Sequence, residues 1–267
     1  MGVRLSEIIG VMENFAPKTL KESYDNVGLM IGDEDSEITK VLLALDCTLE
    51  VVEEAIEQGV QLILTHHPLL FRKPSSITMD SLQGKKIIKL ISNNINLYSS
   101  HTNLDSVQNG MNDTFMELLE VKDTKVLEEN TSLPGKGHGI GRIGTIEAVT
   151  LKELIIKLKN VFNAEFLRYA GDESQSISRI AVINGSGEGY LELAYKQGAH
   201  CVITGDTTYH YVSDYNELGL SIIDLGHFYS EWIVFLKLIE KIKNSSSQLK
   251  DIEFIASKTS RDPYRFQ

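Results

Sequence analysis

The sequence predicts an α/β protein built on two similar β-α-β units. Two apolar segments, 40–46 and 179–187, have the continuous hydrophobicity of parallel strands that are covered on both faces. In each unit an amphipathic segment and a second apolar run follow, which predicts a right-handed crossover. The units share landmarks at one constant offset, with Ala55, Gly59 and Thr65 matched by Ala194, Gly198 and Thr204. We therefore expect an internal repeat.

The segment before the first unit predicts a helix, a turn and a short strand. The apolar residues with helical spacing are Leu5, Ile8, Ile9 and Met12. Segment 24–32 contains Asp25, Asn26 and Gly28, which are residue types that favour a turn. Asp25 and Asn26 therefore either form this turn or hold the side chains of a functional site in place.

The first β-α-β unit ends in two adjacent histidines. Thr48 is the expected N-cap of its helix and Gly59 the expected end. The apolar strand that follows stops at His66 and His67, and Pro68 cannot continue it. Ligands of open α/β sheets bind beyond the carboxyl ends of the strands, and neutral imidazole is a common metal ligand. The pair is either a metal site or polar packing at the edge of the core.

The region between the units has a different composition. Segment 135–144 is rich in glycine, but without a Walker lysine followed by Ser or Thr it predicts a strand or hairpin, with His138 and Arg142 as optional substrate contacts. Thr150 and Glu153 form a capping box that predicts a helix to about residue 162, and a strand is expected at 166–169. We expect residues 123–226 to form the second domain, and residues 1–122 with 227–267 to form the first.

Two apolar strands, one in each half of the chain, lead into a histidine that is followed four residues later by a carboxylate. These pairs are His101 with Asp105 and His227 with Glu231. Residues four apart lie on one face of a helix, as in other helical metal motifs. The pattern after His227 predicts a helix; after His101 the glycine at position 110 interrupts it.

The candidate metal ligands are His66, His67, Asp105, His227 and Glu231. Three imidazoles and two carboxylates can hold two divalent ions with one carboxylate bridging, and they suit zinc, iron or manganese alike. Closed structural zinc sites favour cysteine instead. Residues that either contact substrate, move protons, orient ligands or pack as polar groups are His101, Asp206, Tyr209 and His210.

Composition excludes several classes of protein. The 26 basic and 37 acidic residues among 267 give a net charge of −11, which opposes nonspecific binding to nucleic acid or anionic membrane. No apolar run approaches the roughly 18 residues of a membrane span. Cys47 and Cys201 lack any CxxC spacing and lie in or beside apolar strands, so buried thiols and a cytoplasmic location are expected.

Six ordered motifs resemble one known family. They are D-N-V-G-L, L-T-H-H-P-L-L-F, S-S-H-T-N-L-D, G-S-G, G-D-x-x-Y-H and G-H-F-x-S-E. From about residue 5 to residue 262 the chain resembles the short form of the GTP cyclohydrolase I type 2 homologue family, also called the Nif-three or YbgI-like family. The resemblance implies two interlocked α/β domains, a dinuclear metal centre between them and a toroidal homohexamer. Position by position, the metal ligands of that family fall on the five candidates above.

The resemblance also implies a metal-dependent hydrolase acting on a small molecule, namely a nucleotide, a related heterocycle or a phosphoester. Two divalent ions would be bound per subunit, and His101 is the expected catalytic acid or base. No residue pattern reads guanine. The same ligands also suit a metal-handling protein without turnover, or an oligomeric scaffold whose metals are structural.

Overall fold

A computed structural model describes residues 2–131, 135–265 and 267. The strands of these residues are β1 (Val3–Arg4), β2 (Gly28–Ile31), β3 (Glu37–Ile38), β4 (Lys40–Ala44), β5 (Leu62–Thr65), β6 (Asn96–Ser99), β7 (Lys122–Glu129), β8 (Gly139–Thr150), β9 (Arg168–Ala170), β10 (Ser176–Ser186), β11 (Cys201–Gly205), β12 (Ser221–Asp224) and β13 (Glu253–Ala256). The α-helices are α1 (Leu5–Phe15), α2 (Leu49–Gln58), α3 (Leu82–Ser92), α4 (Thr102–Ser106), α5 (Met111–Leu118), α6 (Leu151–Phe162), α7 (Leu191–Lys196), α8 (Tyr209–Glu217) and α9 (His227–Ser245). Short 3-10 helices occur at Lys18–Leu20, Glu188–Tyr190 and Ser247–Leu249.

The chain divides into two compact units. The first contains Met1–Leu104 and Phe235–Arg261, and the second contains Asp105–Val234 and Asp262–Gln267. Two of the three boundaries fall within α4 and α9, and the third lies between Arg261 and Asp262. The domain limits expected from the sequence, after residues 122 and 226, stay a prediction.

The first unit is built on a five-stranded sheet in the order β13-β4-β5-β6-β2. The first four strands are parallel and β2 is antiparallel to β6. Helix α2 connects β4 to β5: the Thr48 side chain accepts a hydrogen bond from the backbone of Val51, and Gly59 ends the helix with a left-handed φ of 61°. The predicted β-α-β unit is confirmed, because α2 joins two neighbouring parallel strands. Buried Leu42, Ile63 and other apolar residues form the core of this unit.

The second unit contains a six-stranded sheet in the order β7-β8-β10-β11-β12-β9. Its β10, β11 and β12 are parallel, with α7 crossing between the first two. β7 and β8 form an antiparallel hairpin, which confirms the strand or hairpin predicted for the glycine-rich segment. Thr150 and Glu153 form the predicted capping box at the start of α6. Both β-α-β units are therefore present, while their origin as a repeat stays a prediction.

Arg142 corrects one expectation from the sequence. Its side chain is buried, with Nε and Nη2 each 2.7 Å from the carboxylate oxygens of Asp113. Nη1 also donates to the carbonyl oxygens of Gly139 and Gly141. The guanidinium thus anchors the hairpin to α5, and the option that Arg142 contacts a substrate is wrong.

One segment boundary differs from the prediction. The strand expected at 166–169 is β9, Arg168–Ala170, because its antiparallel pairing with β12 begins only at Arg168, opposite Asp224. The polar segment 244–248 is partly helical, since α9 continues to Ser245 and a 3-10 turn follows. The side chain of Leu249, in this turn, is buried.

The cysteines lie where the sequence predicted. Cys47 and Cys201 are free and buried, and burial raises the pKa of the Cys47 thiol to about 12. Neither is therefore a nucleophile at neutral pH. Among the described residues no helix combines the length and the apolar character needed to cross a membrane.

Candidate metal centre

Three histidines of the first unit meet at the carboxyl ends of β5 and β6. His66 and His67 follow β5 directly, and His101 follows the neighbouring strand β6. Their potential ligand nitrogens all lie within 4.8 Å of one another. The three ring centroids are 5.2–5.5 Å apart. The strand-end position predicted for His66 and His67 is confirmed, and the structure adds His101 to the same group.

Each of these rings is oriented through Nδ1 by an oxygen acceptor. The pairs are His66 with the Ser100 carbonyl (2.9 Å), His67 with Asp46 (3.0 Å) and His101 with Asp25 (2.9 Å). Because these oxygens can only accept, Nδ1 carries the proton of each neutral ring and Nε2 carries the lone pair. Metal-binding histidines are characteristically held in this way. The group can therefore present three imidazole nitrogens to a divalent ion.

Asp25 holds His101 from a buried position. Its second carboxylate oxygen accepts hydrogen bonds from the backbone N and the hydroxyl of Thr102, at 3.1 and 2.5 Å. Burial by itself raises the pKa of this carboxyl, but the hydrogen bonds from His101 and Thr102 outweigh it and keep the pKa below its usual range. Asn26 forms the turn: its backbone donates to Asp25 and its side chain donates to the Leu70 carbonyl. Asp25 and Asn26 thus take the two roles that the sequence left open, one each.

Asp46 is a residue of this group that the sequence reasoning missed. It follows β4, the parallel neighbour of β5, so it reaches the same edge of the sheet as the histidines. The signal was available, since the apolar run 40–46 ends in this aspartate. The argument that marked His66 and His67 applies to it equally.

Replacing Asp46 with alanine is expected to weaken metal binding about 10- to 100-fold, the usual cost of removing a carboxylate that orients a metal-binding histidine. The melting temperature of the metal-free protein should stay unchanged, because the Asp46 side chain is 59% exposed. Calorimetric titration with zinc measures the affinity. Asp35→Ala is the matched control, since that side chain is 84% exposed and lies on the surface. Equal affinities of the two variants would contradict the role of Asp46.

The second unit contributes a histidine and a glutamate from one helix. His227 Nε2 lies 3.3 Å from Glu231 Oε2, one turn further along α9, so the same-face arrangement predicted for this pair is confirmed. Glu231 is 3% exposed. His227 Nδ1 lies 2.7 Å from Asp206 Oδ2, which orients the ring as in the first unit. Asp206, at the end of β11, thus has the orienting role expected of it as one option.

Gly185 lies directly against this pair. A Cβ atom added there would fall 2.3 Å from Glu231 Oε1 and 3.2 Å from His227 Nε2. The glycine is fixed in place, since its backbone N donates to the Ser230 hydroxyl and its carbonyl accepts from the Thr204 hydroxyl. Its φ is +60°. Only glycine leaves this space open for the two side chains or for an ion bound to them.

Gly185→Ala is therefore expected to displace Glu231 and to lower both metal content and any metal-dependent activity at least tenfold. Gly198→Ala separates this clash from backbone strain, because Gly198 has a φ of +78° but no atom within 4 Å of the added Cβ. That control should cost about 1 kcal/mol of stability and leave metal binding intact. Metal content by mass spectrometry and unfolding in urea measure the two effects. Equal metal loss in both variants would refute the close approach to Glu231.

The other predicted residues are placed as follows. Asp105 lies in α4, half-buried, and its carbonyl accepts a hydrogen bond from Asn112 Nδ2 at 3.1 Å. Asn112 Oδ1 accepts one from the backbone of Asn184, so the buried Asn112 links Asp105 to the end of β10, which contains Gly185. No sequence signal marked Asn112. Tyr209 and His210 lie exposed in the first turn of α8.

The side chains of both units fit divalent metal ions chemically. Each unit supplies imidazole nitrogen, the second supplies a buried carboxylate, and the histidine rings are held by hydrogen bonds at Nδ1. The glycine at position 185 keeps space open beside the second pair. The protein therefore carries His and Glu groups that can bind metal.

Known proteins are similar to this chain along nearly its whole length. The model of the Duf34/NIF3 (NGG1p interacting factor 3) family matches residues 3–263. A Clostridium perfringens protein named GTP cyclohydrolase 1 type 2 homolog is 52% identical over 99% of this chain and 100% of its own. A protein of the same name from Clostridium acetobutylicum is 47% identical over 100% of both chains. The crystal structure of Staphylococcus aureus hypothetical protein SA1388 superimposes with a TM-score of 0.89 at 30% identity, covering 100% of both chains. The family assignment expected from the six motifs is thus confirmed, and the chain belongs to the Duf34/NIF3 family.

Proposed function

We propose that this protein is a metal-dependent hydrolase that binds two divalent ions. The proposed ligands are His66, His67, Asp105, His227 and Glu231. The observation that carries the proposal is the orientation of the proposed histidine ligands: in His66, His67 and His227, Nδ1 is bonded to an oxygen acceptor. Packing alone does not require the same ring orientation in each of these residues, whereas metal ligation through Nε2 does.

The substrate class proposed is a nucleotide, a related heterocycle or a phosphoester. Its support is chemical and comparative. A bound divalent ion supplies Lewis acidity and lowers the pKa of water, which is what hydrolysis of such bonds requires. The relatives from both Clostridium species carry the name GTP cyclohydrolase 1 type 2 homolog. The carboxylate-rich composition adds no basic surface for a polymeric nucleic acid.

The protein's own residues supply proton transfer. His101 Nε2 can accept a proton from a reacting group, and Asp25, bonded to Nδ1, then stabilises the imidazolium that forms. Asp25 stays ionised throughout the neutral range because its pKa is held low. His101 therefore acts as the catalytic base in this proposal, and His66 and His67 act as ligands.

Metal analysis and substrate screening on one preparation test the function. Metal-free protein is reconstituted with zinc, iron(II) or manganese(II) and offered nucleoside triphosphates and phosphoesters. We expect turnover that depends on the metal and is abolished by Glu231→Ala. The control is Glu240→Ala, on the same helix but in an exposed ion pair with Lys237. Full metal occupancy without turnover on any substrate would overturn the hydrolase and leave metal handling as the function.

His101→Gln separates the two roles open to that residue. If His101 is the base, the variant keeps its metal and loses turnover; if His101 is a ligand, metal content falls as well. Comparison of the pH profiles of turnover gives a second readout. If His101 is the base, the wild-type profile has an acidic limb that the residual activity of His101→Gln lacks.

The homohexamer implied by the family resemblance is part of the proposal. Light scattering measures the mass in solution relative to the 29.9 kDa chain. A monomer at micromolar concentration would refute the ring.

A further inference from the structure

Two aromatic rings of the first unit extend its group of histidines toward solvent. The ring centroids of Phe71 and His101 are 6.5 Å apart, with the ring planes at 77°. The centroid of Tyr24 lies 6.3 Å from that of Phe71, with the planes at 61°. The exposed fraction falls along this series, from 64% for Tyr24 and 45% for Phe71 to 20% for the His101 side chain. The rings therefore lead from the surface to the histidine group.

Phe71 is exposed although the residues before it are anchored. Leu69 and Leu70 are partly buried against the core of the first unit. The Leu69 carbonyl accepts a hydrogen bond from Gln83 Nε2 at 3.0 Å, and the Leu70 carbonyl accepts one from Asn26 Nδ2 at 2.8 Å. A single exposed apolar side chain is common, but two exposed rings in contact beside a functional group are typical of a ligand surface.

Segment 24–26 couples both rings to His101. Tyr24 directly precedes Asp25, whose Oδ1 lies 2.9 Å from His101 Nδ1. Asn26, the next residue, holds the carbonyl of Leu70, directly before Phe71. Three consecutive residues thus carry one ring, orient the histidine and anchor the loop that carries the other ring. The position of the rings relative to His101 is therefore fixed by hydrogen bonds.

The geometry and charge of this surface select a planar ligand. Because the rings of Tyr24 and Phe71 are inclined at 61°, a flat ring that stacks on one meets the other edge to face, and both contacts are favourable. Aromatic side chains also bind organic cations. Arg72 and Lys73 follow Phe71 directly, are exposed and form no ion pair with any described residue. Their positive charge opposes a cation and favours a neutral or anionic ring.

We propose that Phe71 and Tyr24 bind the planar heteroaromatic ring of the substrate beside His101. The inference rests on the proposed function, since it places the ring of the hydrolase substrate next to the catalytic base. It also narrows the substrate class, because a nucleotide or related heterocycle has such a ring and a simple phosphoester does not.

Binding to the zinc-loaded protein tests the inference without requiring turnover. The probes are adenosine 5′-monophosphate and ribose 5-phosphate, which carry the same phosphate and sugar, so the metal ions and the basic residues meet the same group in both. Calorimetric titration should show the nucleotide binding at least tenfold tighter, because stacking of a base on aromatic side chains contributes about this factor or more.

Two variants assign that difference to the rings. Phe71→Leu and Tyr24→Leu remain apolar but lose the aromatic face, so each should weaken binding of the nucleotide about tenfold. Both should leave the affinity for ribose 5-phosphate and the metal content unchanged. Phe166→Leu is the matched control, since Phe166 is 41% exposed but lies in the second unit, and it should bind both probes like the wild type.

The inference is overturned if millimolar nucleotide does not bind, or binds no tighter than ribose 5-phosphate. It is also overturned if Phe71→Leu and Phe166→Leu bind the nucleotide equally well. Ring variants that lower the mass in light scattering without changing nucleotide affinity would instead assign the rings to an interface between copies of the chain.

The outcomes separate this inference from the proposed function. Nucleotide binding that depends on Phe71 and Tyr24 supports the ring site even if no metal-dependent turnover is found. Metal-dependent turnover of phosphoesters that is the same with and without an aromatic ring in the substrate would support the hydrolase and overturn the ring site.

Discussion

His66→Gln is expected to remove bound metal and to lower metal-dependent turnover at least about 100-fold. Loss of a residue that only orients a ligand costs up to about 100-fold, and loss of a ligand itself should cost at least as much. His66 is fully buried, and its Nδ1 is bonded to the Ser100 carbonyl, so Nε2 is the nitrogen that can ligate. Glutamine has a similar volume but is a poor ligand for zinc or iron. Metal content by mass spectrometry and titration with zinc measure the loss.

The control for this variant is His200→Gln. His200 is exposed, accepts a hydrogen bond from the backbone of Ser178 and lies at the start of β11, whereas Asp206 lies at the end of that strand. The variant should therefore keep the metal content of the wild type. A purely structural His66 predicts a different pattern. In that case the metal-free variant would melt well below the metal-free wild type, while its metal affinity would be retained.

Glu54→Ala is expected to lower the free energy of unfolding by roughly 3 kcal/mol, because it removes several hydrogen bonds to one buried charge. Glu54 lies on α2 and is 7% exposed. Its carboxylate accepts from the Ser257 hydroxyl, the Lys258 backbone, and both the backbone and hydroxyl of Thr259, at 2.6–3.2 Å. One side chain therefore holds the turn after β13 against α2. Unfolding in urea measures the loss.

Glu57→Ala provides the matched control, on the same helix but with an exposed side chain, and should change stability by no more than about 0.5 kcal/mol. A loss for Glu54→Ala as small as that of the control would show that water replaces the carboxylate at no cost.

The contribution of Glu54 should also depend on pH. Burial alone raises the pKa of this carboxyl, but the hydrogen bonds from residues 257–259 outweigh it and lower the pKa below its usual 4.5. A carboxyl with a lowered pKa in the folded state stabilises that state above its unfolded pKa, and the stabilisation is lost as the pH falls through the folded pKa. The difference in stability between the wild type and Glu54→Gln should therefore be constant above about pH 5.5 and shrink below about pH 4.5. A difference that grows on acidification would contradict the lowered pKa.

Elements governed by neighbouring residues followed from the sequence. Thr48 and Gly59 bound α2 as predicted, because capping depends on residues within one turn. His227 and Glu231 share a face of α9 because helical periodicity places residues four apart together. His66 and His67 lie at a strand end because an apolar run stops there. The ligand roles of these residues stay a prediction.

Other features depended on which strands are neighbours. The sequence does not say that β4 lies beside β5, so Asp46 was missed although it ends an apolar run as His66 does. The pairing of Arg142 with Asp113 joins a hairpin to a helix that lies earlier in the chain, so the sequence left Arg142 open as an optional substrate contact. The start of β9 was misplaced because its register is set by β12, which follows it by some fifty residues.

The sequence by itself thus determined which residues are candidate ligands and which helices and strands carry them. These elements depend on local sequence, because one or two turns of backbone decide their geometry. The tertiary structure decided which groups orient those ligands and where space is left beside them. Asp46, Asp25 and Asp206 meet the histidines, and Gly185 meets Glu231, through contacts between residues distant in the chain. Such contacts arise from strand order and register, which follow from packing of the whole core and not from any one segment.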